Sequence, residues 1–393
     1  MEQAAAFWIW LQKTLGFASR RVSYLLKEYG SAESFYRAGP AEWRLSGRFH
    51  ARELARMEGT SLRVAEEIAR RSESLGYWVL TPEDEAYPER LRALDDLPCV
   101  LYGRGTLPDL EQEVCISIVG TRGATRYGLD VAFDFGFSLA KAGAVVISGG
   151  ALGVDSSAHK GALQAGGTTI AVLGCGINTR YLMSQASLRD AVAHNGALIS
   201  EYPPDTPALP RHFPERNRII SGLSLGTLVV EAGEKSGSLI TARLALDQGR
   251  DVFAVPGDIR SSVSEGTNRL IKAGCAKPST CAEDILEEYR WRFPDRLRLD
   301  ASPEAFPRRN DNLTEITYNE TKAPAPRAPE VGLASLSDAA RALYDGLTPE
   351  AQHIDALAQK TGLTVGRALC ALTELELSGL VRTHPGRRYS LSK

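Results

Sequence analysis

The sequence predicts an α/β fold, a doubly wound and mostly parallel sheet with a helical region before it and a smaller helical region after it. Two observations carry this. Six short runs, CISIVG (115–120), AVVISG (144–149), TTIAVLG (168–174), ALISE (197–201), LGTLVVE (225–231) and DVFAVPG (251–257), are apolar almost throughout and rich in β-branched residues. Each is bounded by glycine or charge and followed by a segment of helical pattern, as expected of parallel strands covered on both faces. The texture also changes at both ends of the chain, where apolar residues recur at helical spacing without alternating strands. At 393 residues the chain exceeds one ordinary domain. Its divisions are a helical domain (1–75), an extended Rossmann-like core (76–290), a proline-rich linker (291–334) and a terminal domain (335–393).

The first division carries Trp8, Leu11, Leu15, Leu25, Leu26, Phe35 and Trp43 at helical spacing. Within it, TLGFASRRVSYLLKEYGSAESF resembles helix-hairpin-helix or SAM-like modules, whose turn usually holds two glycines that turn backbone amides toward a phosphate. Here Gly16 is present and Ala18 stands in the second place. A small helical packing domain is the equal alternative. Between residues 77 and 105, apolar strands at Trp78–Leu80 and Val100–Tyr102 flank an acidic, proline-punctuated loop that introduces the core.

In doubly wound sheets ligands bind at the carboxyl ends of the strands, and here those ends carry the unusual residues. The first strand runs into Gly120, Thr121, Arg122 and Gly123, where glycines let backbone amides approach an anion and an arginine can grip a phosphate. The second runs into Ser148, Gly149, Gly150 and Ala151, with Asp155, His159 and Lys160 on the helix beyond. The fourth leads toward a basic segment with Arg211, Phe213, Arg216, Asn217 and Arg218. The fifth ends in Glu231, and Lys235, Ser236, Gly237 and Ser238 open the next helix as an amide nest with hydroxyl donors. Cations beside an aromatic ring suit a ligand with phosphates to neutralise and a flat face to stack on, a nucleotide or single-stranded nucleic acid. Singly, each glycine turn is also what a tight strand-to-helix connection needs. His159 is expected to be a packing histidine and Asp155 a helix-start charge. Arg216, Asn217 and Arg218 are either a folding network or ligand contacts, and their place beside Phe213 favours contact.

A net charge of −2 excludes a surface coated for polyanions, so any such site is local. The six cysteines are scattered without a CxxC pair, which predicts reduced thiols in a cytoplasmic protein and no metal site. The opening MEQAAAFWIWLQK lacks the basic start and length of a signal peptide, and no apolar run is long enough for a bilayer. From Phe293 to Ala334, Pro294, Pro303, Pro307, Pro324, Pro326 and Pro329 break a polar sequence, which predicts a linker. The tail then reads as helices near 338–346, 354–361 and 364–378 followed by a hairpin, the winged-helix order. Its third helix offers Thr373, Glu374 and Glu376 against Arg367, a poor set for a phosphate-lined groove. The wing, with Arg382, His384, Arg387 and Arg388, is the basic part, so protein contact or weak duplex contact is expected.

Taken together, IVGTRGATRYG, SGGALGVDSSAHKGAL, TIAVLGCGI, LISEYPPDTPALPRHFPERNRIISGLS, LVVEAGEKSGSLITARLALDQGRDVFAVPG and EGTNRLIKAG resemble the DprA/Smf family of bacterial DNA-processing proteins, in order, from about Val114 to Gly274. The resemblance implies a Rossmann-like core that dimerises, binds single-stranded DNA without cutting it, and loads RecA onto incoming DNA in natural transformation; single-strand-binding protein is a further candidate partner. It implies that Arg122, Gly120 and Thr121 hold a phosphate, that Ser148 to Ala151 line the same pocket, and that Phe213, Arg216 and Asn217 serve bases and backbone. No cofactor is implied. After Gly176 the family shows Tyr-Pro and a later Asn, whereas this chain has Tyr181-Leu182-Met183-Ser184. The competing reading is a phosphoribohydrolase of the lysine-decarboxylase-like type, suggested by Gly226, Thr227 and Glu231 on one strand but lacking that family's PGGxGT turn. A dehydrogenase would need GxGxxG and a ribose-holding acid, and a nuclease clustered carboxylates; neither pattern is present. A pure adaptor with a vestigial pocket is the third class.

Overall fold

The computed structural model describes residues 2–298, 337–348, 350–377, 380–384 and 388–391. It falls into two compact units, Met1–Arg309 and Asn310–Lys393.

The first unit opens with five helices: α1 (Glu2–Leu15), α2 (Arg21–Tyr29), α3 (Ala32–Leu45), α4 (Ala51–Gly59) and α5 (Leu62–Ser74). Residues Ala6 to Leu11 of α1 are all buried, so this helix is the axle around which α3, α4 and α5 pack. Trp10 stacks obliquely on Trp43 at 5.4 Å and donates from Nε1 to Thr60 O at 2.8 Å. Caps define the joints: Ser31 accepts from Ser34 N at 3.0 Å, and Glu53 accepts from His50 N at 2.8 Å.

The sheet follows as β1 (Trp78–Leu80), α6 (Glu89–Arg92), β2 (Leu101–Gly105), β3 (Cys115–Val119), α7 (Arg126–Lys141), β4 (Val145–Ser148), α8 (Val154–Gln164), β5 (Thr169–Leu173), α9 (Ala186–His194), β6 (Gly196–Ser200), α10 (His212–Leu223), β7 (Gly226–Val229), α11 (Gly237–Asp247), β8 (Asp251–Ala254), α12 (Glu265–Lys272), β9 (Lys277–Pro278) and α13 (Glu283–Leu286). The nine strands lie in the order β1-β2-β6-β5-β4-β3-β7-β8-β9. Strands β3 to β9 are parallel, while β1 and β2 form an antiparallel margin in which β2 pairs with β6. The doubly wound, mostly parallel α/β core predicted from the apolar runs is therefore the observed one. Its strand order reverses between β3 and β7, the place where such sheets open a crevice.

Alternation along each strand builds two cores. Cys115, Val119 and Ile147 face α10, α11 and the N-terminal helices, whereas Ile116, Ile118 and Val146 face α7, α8 and α13. The helical region thus shares one continuous core with the sheet. On the second face α7 and α8 touch backbone to backbone. A Cβ on Gly161 would lie 2.1 Å from Phe133 O and one on Gly136 2.3 Å from Ala158 O, so both positions require glycine.

The turn between α1 and α2 faces inward. Gly16 (φ 86°) and Ala18 (φ 53°) both take the left-handed conformation, but Phe17 stacks on Tyr202 at 4.4 Å and the backbone at Ala18 hydrogen-bonds Glu201. Its amides serve a buried carboxylate, which favours the packing reading of this hairpin. The expected linker also starts late. Residues 291–298 fold onto the core, with Phe293 buried and Arg298 N donating to Ala142 O at 2.9 Å. The rest of the linker, 299–334, lies outside the described residues.

The second unit contains α14 (Asp338–Gly346), β10 (Gln352–His353), α15 (Ile354–Thr361), α16 (Val365–Leu377), β11 (Val381–His384) and β12 (Arg388–Leu391), with strand order β10-β12-β11. Leu343, Ile354, Leu357, Leu372, Leu375, Val381 and Tyr389 form its core, a winged helix. Ser337 accepts from Ala340 N and donates to Glu374 at 2.6 Å, which ties the start of α14 to α16. Arg367 and Glu376 of α16 and Arg382 and Arg388 of the wing are exposed; Arg387 and the side chain of Thr373 lie outside the described residues.

His159 of α8 behaves as a packing histidine. Thr169 Oγ1 donates to Val146 O at 2.8 Å, which leaves it to accept from Nδ1 of His159, 2.7 Å away. Burial, aided by the charge of Arg216, pushes the imidazole down to about 3 from the ordinary 6.5. A depressed folded value means the unfolded chain takes up a proton first, so this contribution is whole above pH 6.5 and is lost as pH falls toward 3. The stability gap between the protein and His159→Asn should shrink by about 2 kcal/mol from pH 8 to pH 5, measured by urea unfolding. A constant gap would refute it.

Candidate nucleic-acid interface

A cavity of about 650 Å³ opens at the carboxyl ends of β3 and β4, beside the switch point. Its wall is assembled from sequence-distant pieces: Gly120, Thr121 and Arg122 after β3, Ala151 and Asp155 after β4, Phe213, Arg216 and Asn217 on α10, and Ser236, Gly237 and Ser238 at the start of α11. Ten of the residues expected from the sequence meet there, and Tyr181 joins them.

The starts of α8 and α11 reach the cavity wall through Asp155 and through Ser236 to Ser238, each bringing the positive end of a helix dipole, and the start of α7 follows the Arg122 turn. Thr125 caps α7 by accepting from Gly128 N at 3.1 Å, Gly153 caps α8, and Ser236 caps α11 by accepting from Ser238 N at 3.4 Å. Gly153 has a φ of 83°, and a Cβ there would strike Thr121 O at 2.5 Å, so the two glycine turns are packed against each other. Asn217 links α10 to the start of α11 by donating to Gly237 O at 3.4 Å.

Phe213 is the platform. The Arg122 guanidinium carbon lies 4.8 Å from its ring centroid and the Tyr181 ring 5.4 Å from it, so an exposed cation and two aromatic faces stand together. Tyr181 is the residue sequence reasoning left without a role. Its loop is stitched by Arg189 of α9, which donates to Ile177 O at 2.6 Å and to Thr179 O and Tyr181 O at 3.3 Å each. An arginine eight residues beyond Tyr181 was the available signal.

Arg216 lies at the floor rather than in the open. Only 3% exposed, it donates from Nη1 to Gly149 O at 2.7 Å and to Val172 O. A Cβ on Gly149 would lie 2.6 Å from Asp155 Oδ2 and 2.7 Å from Arg216 Nη2, so Gly149 makes room for this buried pair of charges. Burial pushes the Asp155 carboxyl up, with the Arg216 guanidinium opposing, and burial likewise pulls Arg216 down from its ordinary value. Asp155 therefore lines the cavity as the counter-charge of Arg216, a larger role than the helix-start charge expected of it.

Other expected residues sit elsewhere. Ser148 is fully buried and donates to Ile118 O at 2.6 Å, while Gly150, at φ 64°, forms the turn below Ala151. Glu231 points into the β3 to α7 connection, accepting from Thr125 N at 2.9 Å and Thr125 Oγ1 at 2.6 Å. It shapes the Arg122 loop from behind. Arg218 is not exposed beside Phe213: it is 2% exposed, forms an ion pair with Glu201 at 2.8 Å and donates to Asp96 O at 3.1 Å. The expectation that every cation of this segment faces the ligand is thus corrected for Arg218, and the folding-network alternative describes it. Arg211 and Lys235 are exposed in the segments entering α10 and α11, and Lys160 is exposed on α8 without lining the cavity.

A doubly wound sheet whose crevice gathers two helix starts, an exposed guanidinium and a pair of aromatic rings has the composition of the nucleotide and nucleic-acid class of α/β proteins. The sequence profile of the DNA recombination-mediator protein A family matches residues 78–290, and that of the DprA winged helix domain matches 323–387. Protein Smf of Escherichia coli (strain K12) is 39% identical over 315 residues, spanning 80% of this chain and 77% of the relative. DNA processing protein DprA of Bacillus subtilis (strain 168) is 45% identical over 202 residues, 51% of this chain and 68% of that one. Among solved structures, DNA processing protein A of Streptococcus pneumoniae aligns with TM-score 0.62 at 34% identity, covering 71% of this chain and 95% of that one. The Helicobacter pylori protein, solved for its single-stranded DNA binding mode, aligns with TM-score 0.50 at 32% identity, covering 55% of this chain and 96% of that one. The chain belongs to the DprA/Smf family of DNA-processing proteins. No helix among the described residues is long and apolar enough to cross a membrane.

Proposed function

We propose that this chain binds single-stranded DNA at the cavity without sequence preference, does not cleave it, and loads RecA onto it in natural transformation and recombination, acting as a homodimer in the cytoplasm. The observation that carries the reading is the cluster of Arg122, Phe213 and Tyr181 on the wall of the cavity. Cation, rings and helix starts address phosphate and base faces, which every nucleotide has, and this favours binding that tolerates any sequence. The Helicobacter pylori relative's recorded single-strand binding supports the ligand class. The resemblance supplies the delivery step to RecA, with single-strand-binding protein as a further candidate partner.

The enzyme alternative is disfavoured by its own residues. Thr227 is buried and accepts from Ser117 Oγ at 2.8 Å, and Glu231 is held by Thr125, so neither reaches a ligand in the cavity. No cofactor enters the proposal.

Fluorescence anisotropy of a labelled oligo(dT), titrated with the intact chain across a salt series, tests binding. Log affinity should fall linearly with log salt, by about 0.7 for each phosphate neutralised. Phe213→Ala should weaken binding about tenfold, the worth of one stacked base. A salt-indifferent affinity, or one untouched by Phe213→Ala, would remove the cavity from the function. The delivery step predicts a shorter lag in RecA filament formation on strands coated with single-strand-binding protein, with the labelled strand recovered at full length.

A further inference from the structure

This near-neutral chain carries a second concentration of positive charge around an exposed ring, at the opposite end of the strands from the cavity. Between Tyr289 and Arg298 it places Arg290, Arg292, Arg296 and Arg298 against one acid, Asp295. Trp291 in their midst is 80% exposed, whereas Trp8, Trp10 and Trp43 are buried to 3% or less. Of the neighbouring acids, Glu287 and Glu288 are both directed to Lys277, each at 2.6 Å, and not to the arginines around Trp291.

The backbone that presents Trp291 is fixed. Tyr289 and Phe293 on either side are buried in the core, and Tyr289 Oη donates to Asp251 Oδ2 at 2.8 Å. Arg296 pairs with Glu113 at 3.3 Å, and Arg298 N donates to Ala142 O. Asp251 is the first residue of β8, and Glu113 and Ala142 shortly precede β3 and β4, so this segment crosses the amino ends of strands whose carboxyl ends form the cavity. Strands of four or five residues separate the two by roughly 15 Å at least. Among the described residues of the unit nothing covers the indole, and burying an aromatic ring of this size against the core would have been favourable. A rigid, outward tryptophan flanked by guanidinium groups has the composition of a stacking platform with phosphate contacts beside it.

We propose that this patch is a second contact for single-stranded DNA, in which Trp291 stacks on a base and Arg290 and Arg292 meet the flanking phosphates of a strand that also occupies the cavity. It rests on the reading that the cavity binds single-stranded DNA, and concerns only strands long enough to pass around the sheet.

The intact chain is titrated with a short oligo(dT) of about 6 nucleotides and a long one of about 30, lengths that bracket the sites of single-strand grooves. Trp291→Ala and the double variant Arg290→Glu/Arg292→Glu should each weaken the long strand about 5- to 50-fold and leave the short strand unchanged. Saturation with the long strand should protect tryptophan fluorescence from iodide, and Trp291→Phe should abolish that protected signal while keeping most of the affinity. Long-strand affinity equal to that of the parent in both variants, or unprotected fluorescence at saturation, would overturn the proposal. Arg122→Glu separates it from the cavity reading: loss of the short strand in that variant alone would keep the cavity even if the patch failed.

Discussion

Replacing Arg122 with glutamate is expected to weaken binding of a short oligo(dT) by about 100-fold or more, with the circular dichroism spectrum and melting temperature unchanged. Hydrogen bonds to a charged group contribute about 1.5–3 kcal/mol each, and reversing the charge adds repulsion of the phosphate. Arg122 is exposed and its guanidinium stands over the Phe213 ring, so its replacement also removes the cation beside that ring. The salt dependence should become shallower by about 0.7 for each phosphate that the variant leaves unneutralised. Affinity and slope both equal to the parent's would move the DNA site away from the cavity.

Arg218→Met should act in the opposite way, lowering stability while touching DNA only through the fold. Glu201 is 1% exposed and Arg218 2%, and breaking a buried pair by removing one partner costs about 3–5 kcal/mol. For a unit of this size the melting temperature should drop by on the order of 10 °C. Burial already pushes the Glu201 carboxyl up against the opposing pull of Arg218. Without that cation the carboxyl rises further, so the folded state keeps a proton that the unfolded chain releases. The variant's deficit should therefore be larger at pH 8 than at pH 5. Thermal melts at the two pH values check the sign; a deficit independent of pH, or a salt slope for DNA altered as in Arg122→Glu, would contradict the structural role.

The contrast between these arginines shows where sequence stops being informative. The strands of the core were legible because parallel strands buried on both faces must be apolar throughout, and CISIVG or AVVISG admit no other fate. The glycine turns were legible because backbone cannot approach an anion or another turn past a Cβ, as Gly149 and Gly153 illustrate. Arg216 and Arg218 were not, since a charged residue within α10 looks the same whether it faces ligand or a counter-charge. The partner of Arg218 lies 17 residues away at Glu201, and its second acceptor, Asp96, 122 away. Tyr181 was missed because its loop departs from the resembling pattern, although the ring still reaches Phe213. The first residues of the expected linker were misjudged for a related reason: Phe293 and Leu297 are too few to show a period, yet each finds the core.

The inward turn between α1 and α2 has a consequence for the order in which the chain can complete itself during synthesis. Gln12 donates to Glu201 O across 189 residues, and the Ala18 backbone waits for the carboxylate of the same Glu201. The helices leave the ribosome first, but their polar underside has no partner until β6 and α10 have been made. Until then, the nascent head carries amides meant for a buried acid and an exposed Phe17 whose stacking partner, Tyr202, does not yet exist. The head is thus made first but completed only once the chain has reached α10, where Arg218 pairs with Glu201.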